Sequence, residues 1–408
     1  MKQYLPLLMA PLLAACGAPP NSGQTGTPGD TSAPASVETR KPNTDYTPSF
    51  PGQTRAPAVR SSSGWAGTVL TRDLEKPWGI GVLPDGRLLI TEKKGTMRIA
   101  GTSGNLSAPI TGIPAVNSSG QGGLLGIAID PDFANNRTVF WSFSERLPEG
   151  NLTAVARGRL SADERRIEGA TVIYRATPAY NGNLHYGSRI LIDKEGNLLV
   201  STGERSDLET RPQAQDLNSA LGKIVRITKE GKPAAGNPFA GRAGARPELY
   251  SYGHRNVQGL AFHPATGDLW ENEFGPRGGD ELNRVEAGKN YGWPTITYGY
   301  EYSGARVGEG LTEKSGLEQP VYYWDPVLSP SGMTFYSGSA LPEWKHNLFI
   351  AGLNSNHIAR LVLRDNRVVG EERLLRSEGQ RFRDVAEGRD GALYAVTDEG
   401  RLYRIAKK

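Results

Sequence analysis

The stretch Gly81-Val82-Leu83-Pro84-Asp85-Gly86-Arg87-Leu88-Leu89-Ile90 contains an apolar run, a turn built on Pro, Asp and Gly, and a second apolar run. Such a unit is typical of a β-hairpin, because Asp and Gly favour the tight turn between two strands. The same unit recurs five more times along the chain. The further copies are residues 126–141, 190–200, 260–270, 333–350 and 385–396.

Six hairpins at similar spacing indicate a closed repeat fold. The copies lie about 45 to 75 residues apart, which is typical of propeller blades with loop insertions. Their apolar runs are nearly continuous, as expected of strands that are buried on both faces. We therefore predict an all-β, six-bladed β-propeller over residues 65–408, in which residues 69–74 complete the last blade and close the ring. A pair of β-sandwiches is the alternative fold.

The first sixteen residues have the features of an export signal. Lys2 precedes an apolar run over residues 5–13, which is too short to span a bilayer as a helix, and Leu-Ala-Ala then leads to Cys16. This ending resembles the bacterial lipoprotein signal, in which the cysteine is lipidated and becomes the N-terminus. Cys16 is the single cysteine of the chain, which favours lipidation over a plain secretory signal cut nearby. The expected location is the periplasmic side of a bacterial membrane, and Gly17 rather than Asp favours the outer membrane.

Residues 17–64 have the composition of a linker. They are rich in Pro, Gly, Ser and Thr, and they lack Leu, Ile, Met and Trp. Such a segment cannot bury enough apolar surface of its own to offset the entropy of ordering it, so we predict a disordered tether. The net charge of +4 is spread evenly along the chain without a basic block, which argues against a nucleic-acid partner.

The loops between the hairpins have specific sequences. They are GQGGLLG at 120–126, GNLHYGSR at 182–189, YGHRNVQG at 252–259, EFGPRGGDELN at 273–283, GKNYGWP at 288–294 and QRFRD at 380–384. At these residues the chain resembles the soluble glucose/sorbosone dehydrogenase family, and within it the aldose sugar dehydrogenases that use pyrroloquinoline quinone (PQQ). The resemblance runs from Lys76 to the C-terminus, and the six-bladed propeller of that family agrees with the repeat count.

The resemblance implies a quinoprotein that oxidises aldose sugars at C1 to lactones and passes the electrons to an external acceptor. His185 matches the catalytic base, and Arg255 matches an arginine that stabilises charge on the reduced quinone. Further matches to cofactor contacts are Gln121, Asn256, Tyr302, Arg381 and Arg383. The carbonyls of Gly275 and Pro276 match ligands of a calcium ion at the quinone, and Glu281 and Tyr291 match ligands of a second, structural calcium.

These residue types suit that chemistry. Oxidation of an alcohol needs a base for the O–H proton, and histidine is the side chain best poised for this near neutral pH. It also needs a hydride acceptor, which no side chain provides, so a cofactor is required. PQQ carries three carboxylates, which the forked guanidinium groups of arginine bind well, and calcium prefers hard oxygen ligands.

One cofactor position departs from the family. Asn354 stands where relatives usually have a lysine that pairs with the cofactor, so PQQ binding should be weaker, although Asn can still donate a hydrogen bond. The assignments also have structural alternatives, in which His185 and Arg255 brace loops, or Arg381 and Arg383 form a solvated strand face. The alternative to a calcium ligand at Glu281 is a residue of a surface turn. His254 is interpreted as structural.

Two other functions remain open from the sequence. One is a propeller lactonase or another calcium-dependent hydrolase, which requires acidic metal ligands in the channel and leaves the arginines unexplained. The other is a non-catalytic, sugar-binding lipoprotein. A nicotinamide enzyme is not indicated, because the chain has no glycine-rich strand–turn–helix in a parallel-sheet context. The expected partners are an aldose, an external electron acceptor, and a membrane reached only through the lipid anchor.

Overall fold

A computed structural model describes residues 35–408. The predicted signal with Cys16, and residues 17–34 of the predicted linker, lie outside the described residues. Within 35–408 the structure is almost entirely β, and none of its helices is long and apolar enough to cross a membrane. The helices of this part are α1 (Phe133–Asn136) and three short 3-10 helices, at Arg211–Ala214, Pro342–Trp344 and Arg376–Glu378.

The strands form six antiparallel sheets, the blades, which follow one another along the chain. The first strand, β1 (Trp65–Thr71), belongs to the last blade. Blade 1 consists of β2 (Pro77–Val82), β3 (Leu88–Glu92) and β4 (Thr96–Ala100). Blade 2 consists of β5 (Leu124–Ile129), β6 (Thr138–Leu147), β7 (Gly150–Leu160) and β8 (Ile167–Arg175). Blade 3 consists of β9 (Ile190–Ile192), β10 (Leu198–Ser201), β11 (Lys223–Ile227) and β12 (Leu249–Tyr252).

The second half of the ring repeats this arrangement. Blade 4 consists of β13 (Val257–Phe262), β14 (Leu269–Glu273), β15 (Asp280–Val285) and β16 (Tyr322–Trp324). Blade 5 consists of β17 (Pro330–Phe335), β18 (Leu348–Gly352), β19 (Ile358–Arg364) and β20 (Arg367–Leu374). Blade 6 consists of β21 (Phe382–Glu387), β22 (Leu393–Thr397), β23 (Leu402–Lys407) and β1.

The hairpin repeat of the sequence corresponds to the first two strands of each blade, which confirms the six-bladed propeller. In blade 1 the predicted turn is closed by a bond from the Leu83 N–H to the Arg87 carbonyl at 2.8 Å, and Gly86 has the positive φ of 89° that the turn requires. Ring closure is also confirmed, because β1 pairs with β23. The closing strand starts at Trp65 and ends at Thr71, earlier than residues 69–74.

The apolar core lies between neighbouring blades. Phe140 and Trp141 are adjacent on β6 and both have zero exposure. Trp141 packs in a cluster with Leu89 of blade 1, whereas Phe140 packs in another with Val225 of blade 3. Successive side chains of a strand point to opposite faces, and both faces of this blade are covered. The apolar runs in the sequence are nearly continuous because both faces of such strands are buried.

The centre of the ring is crowded and polar. A Cβ atom at Gly332 would lie 1.6 Å from Oδ1 of Asp384, so only glycine fits beside that carboxylate. Asp384 pairs with Arg189 at 2.9 Å, and both are buried. The Arg189 guanidinium also lies 4.5 Å from the ring centroid of Trp78, which joins blade 1 to the link between blades 2 and 3.

Residues 35–64, here called the strap, are ordered against the propeller. This differs from the disordered tether predicted up to residue 64. Ala56 is 1% exposed within the apolar cluster of blades 4 and 5, and its N–H donates to Tyr322 Oη at 2.9 Å. Glu38 accepts a hydrogen bond from Arg373 at 2.8 Å. The predicted disorder followed from the few apolar residues of the segment itself. The strap is instead held by hydrogen bonds to the surface of the propeller.

Candidate active site

A cavity of about 780 Å³ opens at the end of the ring where the first strand of each blade begins. It has the size and mixed lining of a site for a small molecule. Nine of the twelve predicted site residues line it: Gln121, His185, Arg255, Gly275, Pro276, Tyr302, Asn354, Arg381 and Arg383. The other three, Asn256, Glu281 and Tyr291, do not line the cavity.

His185 is held in an unusual conformation on the cavity wall. Its φ is 47°, a left-handed value that is rare for residues other than glycine. The Gln121 side chain contributes to this conformation, because its Oε1 accepts a hydrogen bond from the His185 N–H at 2.9 Å. Gln121 therefore positions the histidine backbone, in addition to any contact it makes with a ligand.

The imidazole of His185 is hydrogen bonded to a buried carboxylate. Its Nδ1 lies 2.5 Å from Oε1 of Glu204. Burial and the neighbouring Arg255 guanidinium lower the pKa of His185 to about 4, although Glu204 opposes the shift. The ring is thus neutral near pH 7. Because a carboxylate accepts hydrogen bonds, the proton of the neutral ring lies on Nδ1, and Nε2 is free to act as a base.

Glu204, the partner of His185, was not among the residues predicted from the sequence. It is 1% exposed and follows β10. The preceding Gly203 passes so close to His185 that a Cβ atom there would lie 2.2 Å from the His185 carbonyl oxygen. A Gly-Glu pair one residue beyond a buried strand, at the cavity end of the ring, is the sequence signal that could have indicated it.

Arg255 and Asn256 are fixed by one carboxylate. Oε2 of Glu273 accepts hydrogen bonds from the N–H groups of Arg255 and Asn256, at 2.5 and 3.1 Å. The Arg255 guanidinium reaches the cavity and donates to the Gly275 carbonyl at 2.7 Å. Asn256 is fully buried behind the wall, where its Oδ1 accepts from the Gly187 N–H at 2.9 Å. Asn256 therefore supports the His185 loop from behind.

A cationic cluster occupies the part of the cavity formed by blades 6 and 1. Arg381 and Arg383 both pair with Asp398, at 2.9 and 2.8 Å. Asp398 holds the two guanidinium groups side by side, and they lower the pKa of its carboxyl. Asn354 accepts a hydrogen bond from Arg381 Nη1. Arg381 thus reaches position 354, where relatives usually have a lysine. Lys76 and Lys93 line the same region.

The loop after β14 brings the two predicted calcium carbonyls to the cavity. Asp280 organises it, because its Oδ1 accepts from the Gly275 N–H at 2.9 Å and its Oδ2 from the Ser329 N–H at 2.6 Å. Burial raises the pKa of Asp280 to about 7. The Gly275 carbonyl is engaged by Arg255, so a cation that binds this oxygen has to share it with the guanidinium or displace it.

A second group of carboxylates lies behind the wall, on β14 and β15. The ligand atoms of His254, Glu271 and Glu273 lie within 4.8 Å of one another. The amide of Asn283 donates to Glu271 at 2.7 Å and to Glu281 at 3.2 Å. Burial and the nearby Glu273 raise the pKa values of Glu271 and Glu281 well above the usual range. We name these residues, His254, Glu271, Glu273, Glu281 and Asn283, the acidic cluster.

The acidic cluster has the donors for a cation. Within the described chain, Oε2 of Glu271 and Oδ1 of Asn283 are buried without a hydrogen-bond partner. Such atoms are costly unless something binds them. The side chain of Tyr291 is not available as a ligand, because its ring stacks on His254 at 4.8 Å and its hydroxyl donates to the Arg284 carbonyl at 2.9 Å. A ligand role for Tyr291 would rest on its backbone carbonyl.

Comparisons with known proteins agree with this geometry. The model of the family described as Glucose / Sorbosone dehydrogenase matches residues 74–404. The aldose sugar dehydrogenase YliI of Escherichia coli is 41% identical over 359 residues, which cover 85% of this chain and 96% of that protein. A crystal structure of a glucose dehydrogenase has a TM-score of 0.80 at 44% identity and covers 84% of this chain and 99% of its own.

A third relative was solved with a cofactor. The PQQ-bound form of the aldose sugar dehydrogenase from Streptomyces coelicolor has a TM-score of 0.70 at 30% identity. The match covers 86% of this chain and 100% of that chain. From the family match across the propeller and the relatives that it aligns with over nearly their whole length, this chain belongs to the glucose/sorbosone dehydrogenase family.

Proposed function

We propose that this protein is a PQQ-dependent aldose dehydrogenase that oxidises C1 of its sugar to the lactone. The observation that carries the proposal is the neutral His185, held by Glu204 in a cavity whose opposite part is a cluster of cations. A general base and a site for a multiply charged anion thus share one cavity. Oxidation of an aldose by this cofactor requires both.

The cavity residues fit the cofactor. Buried Arg255 Nε has no hydrogen-bond partner within the described residues. Arg381, Arg383 and Arg255 offer forked donors for the carboxylates of PQQ. Tyr302 is 73% exposed at the rim, where its ring is free to contact a planar ligand. When bound, PQQ supplies the hydride acceptor that side chains lack.

The part of the reaction that falls to this chain is proton removal. Oxidation at C1 removes the hydroxyl proton and the hydride on carbon, and the C1–O bond becomes the carbonyl of the lactone. Nε2 of His185 accepts the proton, while the bond to Glu204 stabilises the imidazolium that forms. Arg255 lies near enough to His185 to lower its pKa, and its charge favours negative charge developing on the bound acceptor.

We also propose two calcium ions, one bound by the carbonyls of Gly275 and Pro276 and one by the acidic cluster through Glu281. Calcium takes six to eight oxygen ligands, and carboxylates with backbone carbonyls are a usual set. Support for the second ion comes from the unpartnered oxygens of Glu271 and Asn283. The hydrolase alternative is not favoured, because the acidic cluster does not line the cavity. Of the carboxylates that do line it, Asp398 is paired with two arginines, and Asp280 accepts from the N–H groups of Gly275 and Ser329.

The test is dye-linked oxidation of glucose and a panel of other aldoses by the purified apoprotein. PQQ and calcium are added together and separately. We expect activity when both are present, and the same assay identifies the preferred sugar. A folded protein that binds no PQQ and reduces no dye with any aldose would overturn the proposal in favour of a binding protein.

The lipid anchor at Cys16 and the periplasmic location remain a proposal that rests on the sequence. Expression of the full chain and of Cys16→Ser tests it. We expect the wild type in the membrane fraction, with a mass that includes the lipid, and the variant in the soluble periplasmic fraction. Equal distribution of both proteins would contradict lipidation. The electron acceptor is proposed only as external to this chain.

A further inference from the structure

The strap forms a closed loop that reaches the cavity. Ser36 and Pro57 form a β-bridge, and the Val37 N–H donates to the Ala56 carbonyl at 3.1 Å, so residues 36–57 leave the outer edge of blade 5 and return to it. The far end of this loop, residues 43–46, lies beside blade 4 at the rim of the cavity. Asn43 is one of the residues that line the cavity.

One buried carboxylate anchors the end of the loop. Oδ1 of Asp325 accepts from the Asn43 N–H at 2.7 Å, and Oδ2 accepts from the N–H and the hydroxyl of Thr44 at 3.0 and 2.8 Å. Asp325 is 4% exposed, and its carbonyl accepts from Arg55 of the strap at 2.9 Å. Charged acceptors make the stronger hydrogen bonds, so the backbone of Asn43 is held firmly at the rim.

A second set of contacts fixes the next two residues. Asp45 accepts a hydrogen bond from the hydroxyl of Tyr300 and pairs with Arg306 at 3.5 Å. The ring of Tyr46 packs edge-on against Tyr300, with 5.2 Å between centroids. Tyr300 and Arg306 lie on either side of Tyr302 in the chain, and Tyr302 lines the cavity. The strap and the 300–306 loop therefore form one wall.

Asn43 lines the cavity, and no side chain of the described residues engages its amide. It is half-buried, and its side chain makes no hydrogen bond within residues 35–408, although its backbone is anchored. Its neighbours on the lining include Gly278, against which Asp325 packs. Blade 4 lies across a six-membered ring from blade 1, so this wall is remote from Lys76, Lys93 and the arginines of blade 6. Its own cations on the lining are Arg255, whose guanidinium donates to the Gly275 carbonyl, and Arg277. A sugar hydroxyl suits this end of the cavity, because it can accept a hydrogen bond from a cation or an amide and also donate one.

We propose that Asn43 is a specificity-determining residue, whose amide hydrogen bonds to a hydroxyl of the sugar remote from C1. The inference rests on the proposed function, because it needs a sugar in this cavity. An amide can both donate and accept, which suits a hydroxyl. The strap lies outside the family match, which begins at residue 74.

The experiment compares Asn43→Ala with Lys41→Ala, an exposed strap residue that does not line the cavity. For the preferred aldose, Asn43→Ala should raise KM about 3- to 10-fold with kcat nearly unchanged, because one neutral hydrogen bond is lost. Lys41→Ala should match the wild type. The Kd for PQQ, titrated by tryptophan fluorescence of the apoprotein, should be the same in all three proteins.

Deoxy sugars identify the contacted group. With the deoxy analogue that lacks the contacted hydroxyl, wild type and Asn43→Ala should have equal KM values, since the pair is already broken. An active Asn43→Ala enzyme with unchanged KM for every aldose would overturn the inference. A changed PQQ Kd with unchanged KM would also overturn it, because Asn43 would then contact the cofactor. An inactive wild type would instead count against the proposed function.

Discussion

Nδ1 of His185 and Oε1 of Glu204 lie 2.5 Å apart, in a hydrogen bond from which solvent is almost excluded. This bond joins the loop that precedes β9 to the loop that follows β10. It selects the tautomer of the histidine and orients its other nitrogen. The base of the proposed reaction is therefore a pair of residues. His185 touches the substrate, and Glu204 positions the ring of His185.

Replacement of Glu204 by Gln should lower kcat by roughly 10²-fold. The amide can donate to Nδ1, which favours the tautomer with its proton on Nε2 and removes the base. KM and the PQQ Kd should change little, which steady-state kinetics and fluorescence titration measure. Glu209→Gln, an exposed change in the same loop, is the control. Full activity of Glu204→Gln would show that the tautomer is set by another group.

The pH dependence should reflect the lowered pKa of His185, about 4. The neutral ring is the active form, so kcat/KM should not fall between pH 7 and 6 through this group and should decline only as pH approaches 4. The contribution of His185 to the free energy of unfolding also decreases as pH falls. The unfolded ring, with the ordinary pKa of 6.5, binds more protons than the folded one, so this contribution is lost as pH falls from 6.5 to 4.

Both effects can be measured on one set of proteins. Thermal unfolding followed across this pH range should show a smaller loss of stability in His185→Gln than in the wild type, because the variant has no imidazole to protonate. His185→Gln should also be nearly inactive while remaining folded. An activity limb centred near 6.5 in the wild type would mean that the histidine is not desolvated in solution.

Removal of calcium should destabilise the fold through the acidic cluster. When the free concentration of an ion is 100 times its Kd, binding adds about 2.7 kcal/mol to the free energy of unfolding. For a domain of this size this corresponds to roughly 3 °C in Tm. Chelation should lower Tm by at least this amount, and added calcium should restore it. Glu281→Gln should have a low Tm that chelation barely changes, whereas exposed Glu286→Gln should respond like the wild type. A Tm that is insensitive to chelation in the wild type would remove the ion from this site.

Restoring the family's lysine should strengthen cofactor binding. Asn354 accepts a hydrogen bond from Arg381 at the cationic part of the cavity, so a lysine there adds a positive charge beside the two arginines. We expect Asn354→Lys to lower the PQQ Kd by about 3- to 10-fold, the effect of one added charged contact. Asn135→Lys makes the same change in charge on the exposed surface of α1. Equal affinity in all three proteins would mean that Arg381 already supplies the missing charge.

The propeller and much of the cavity were predictable because their signals are local. A turn such as Asp85-Gly86 between apolar runs specifies a hairpin within ten residues, and six hairpins indicate the ring. The loops that form the cavity end carry their own sequences, and nine of the predicted site residues line the cavity. The other three, Asn256, Glu281 and Tyr291, do not line the cavity, because sequence order does not say which side of the wall a residue faces.

The amino-acid sequence by itself determined the hairpins, the blade count and the family, and it predicted His185 as the base, since each depends on residues close together in the chain. Only the tertiary structure decided the pairing of His185 with Glu204, the grouping of carboxylates on β14 and β15, and the path of the strap. Asn43 and Asp325 are 282 positions apart. Contacts of this range depend on how the ring closes, and no local pattern records them. The strap shows the consequence, because it is ordered by a surface that forms far away in the sequence.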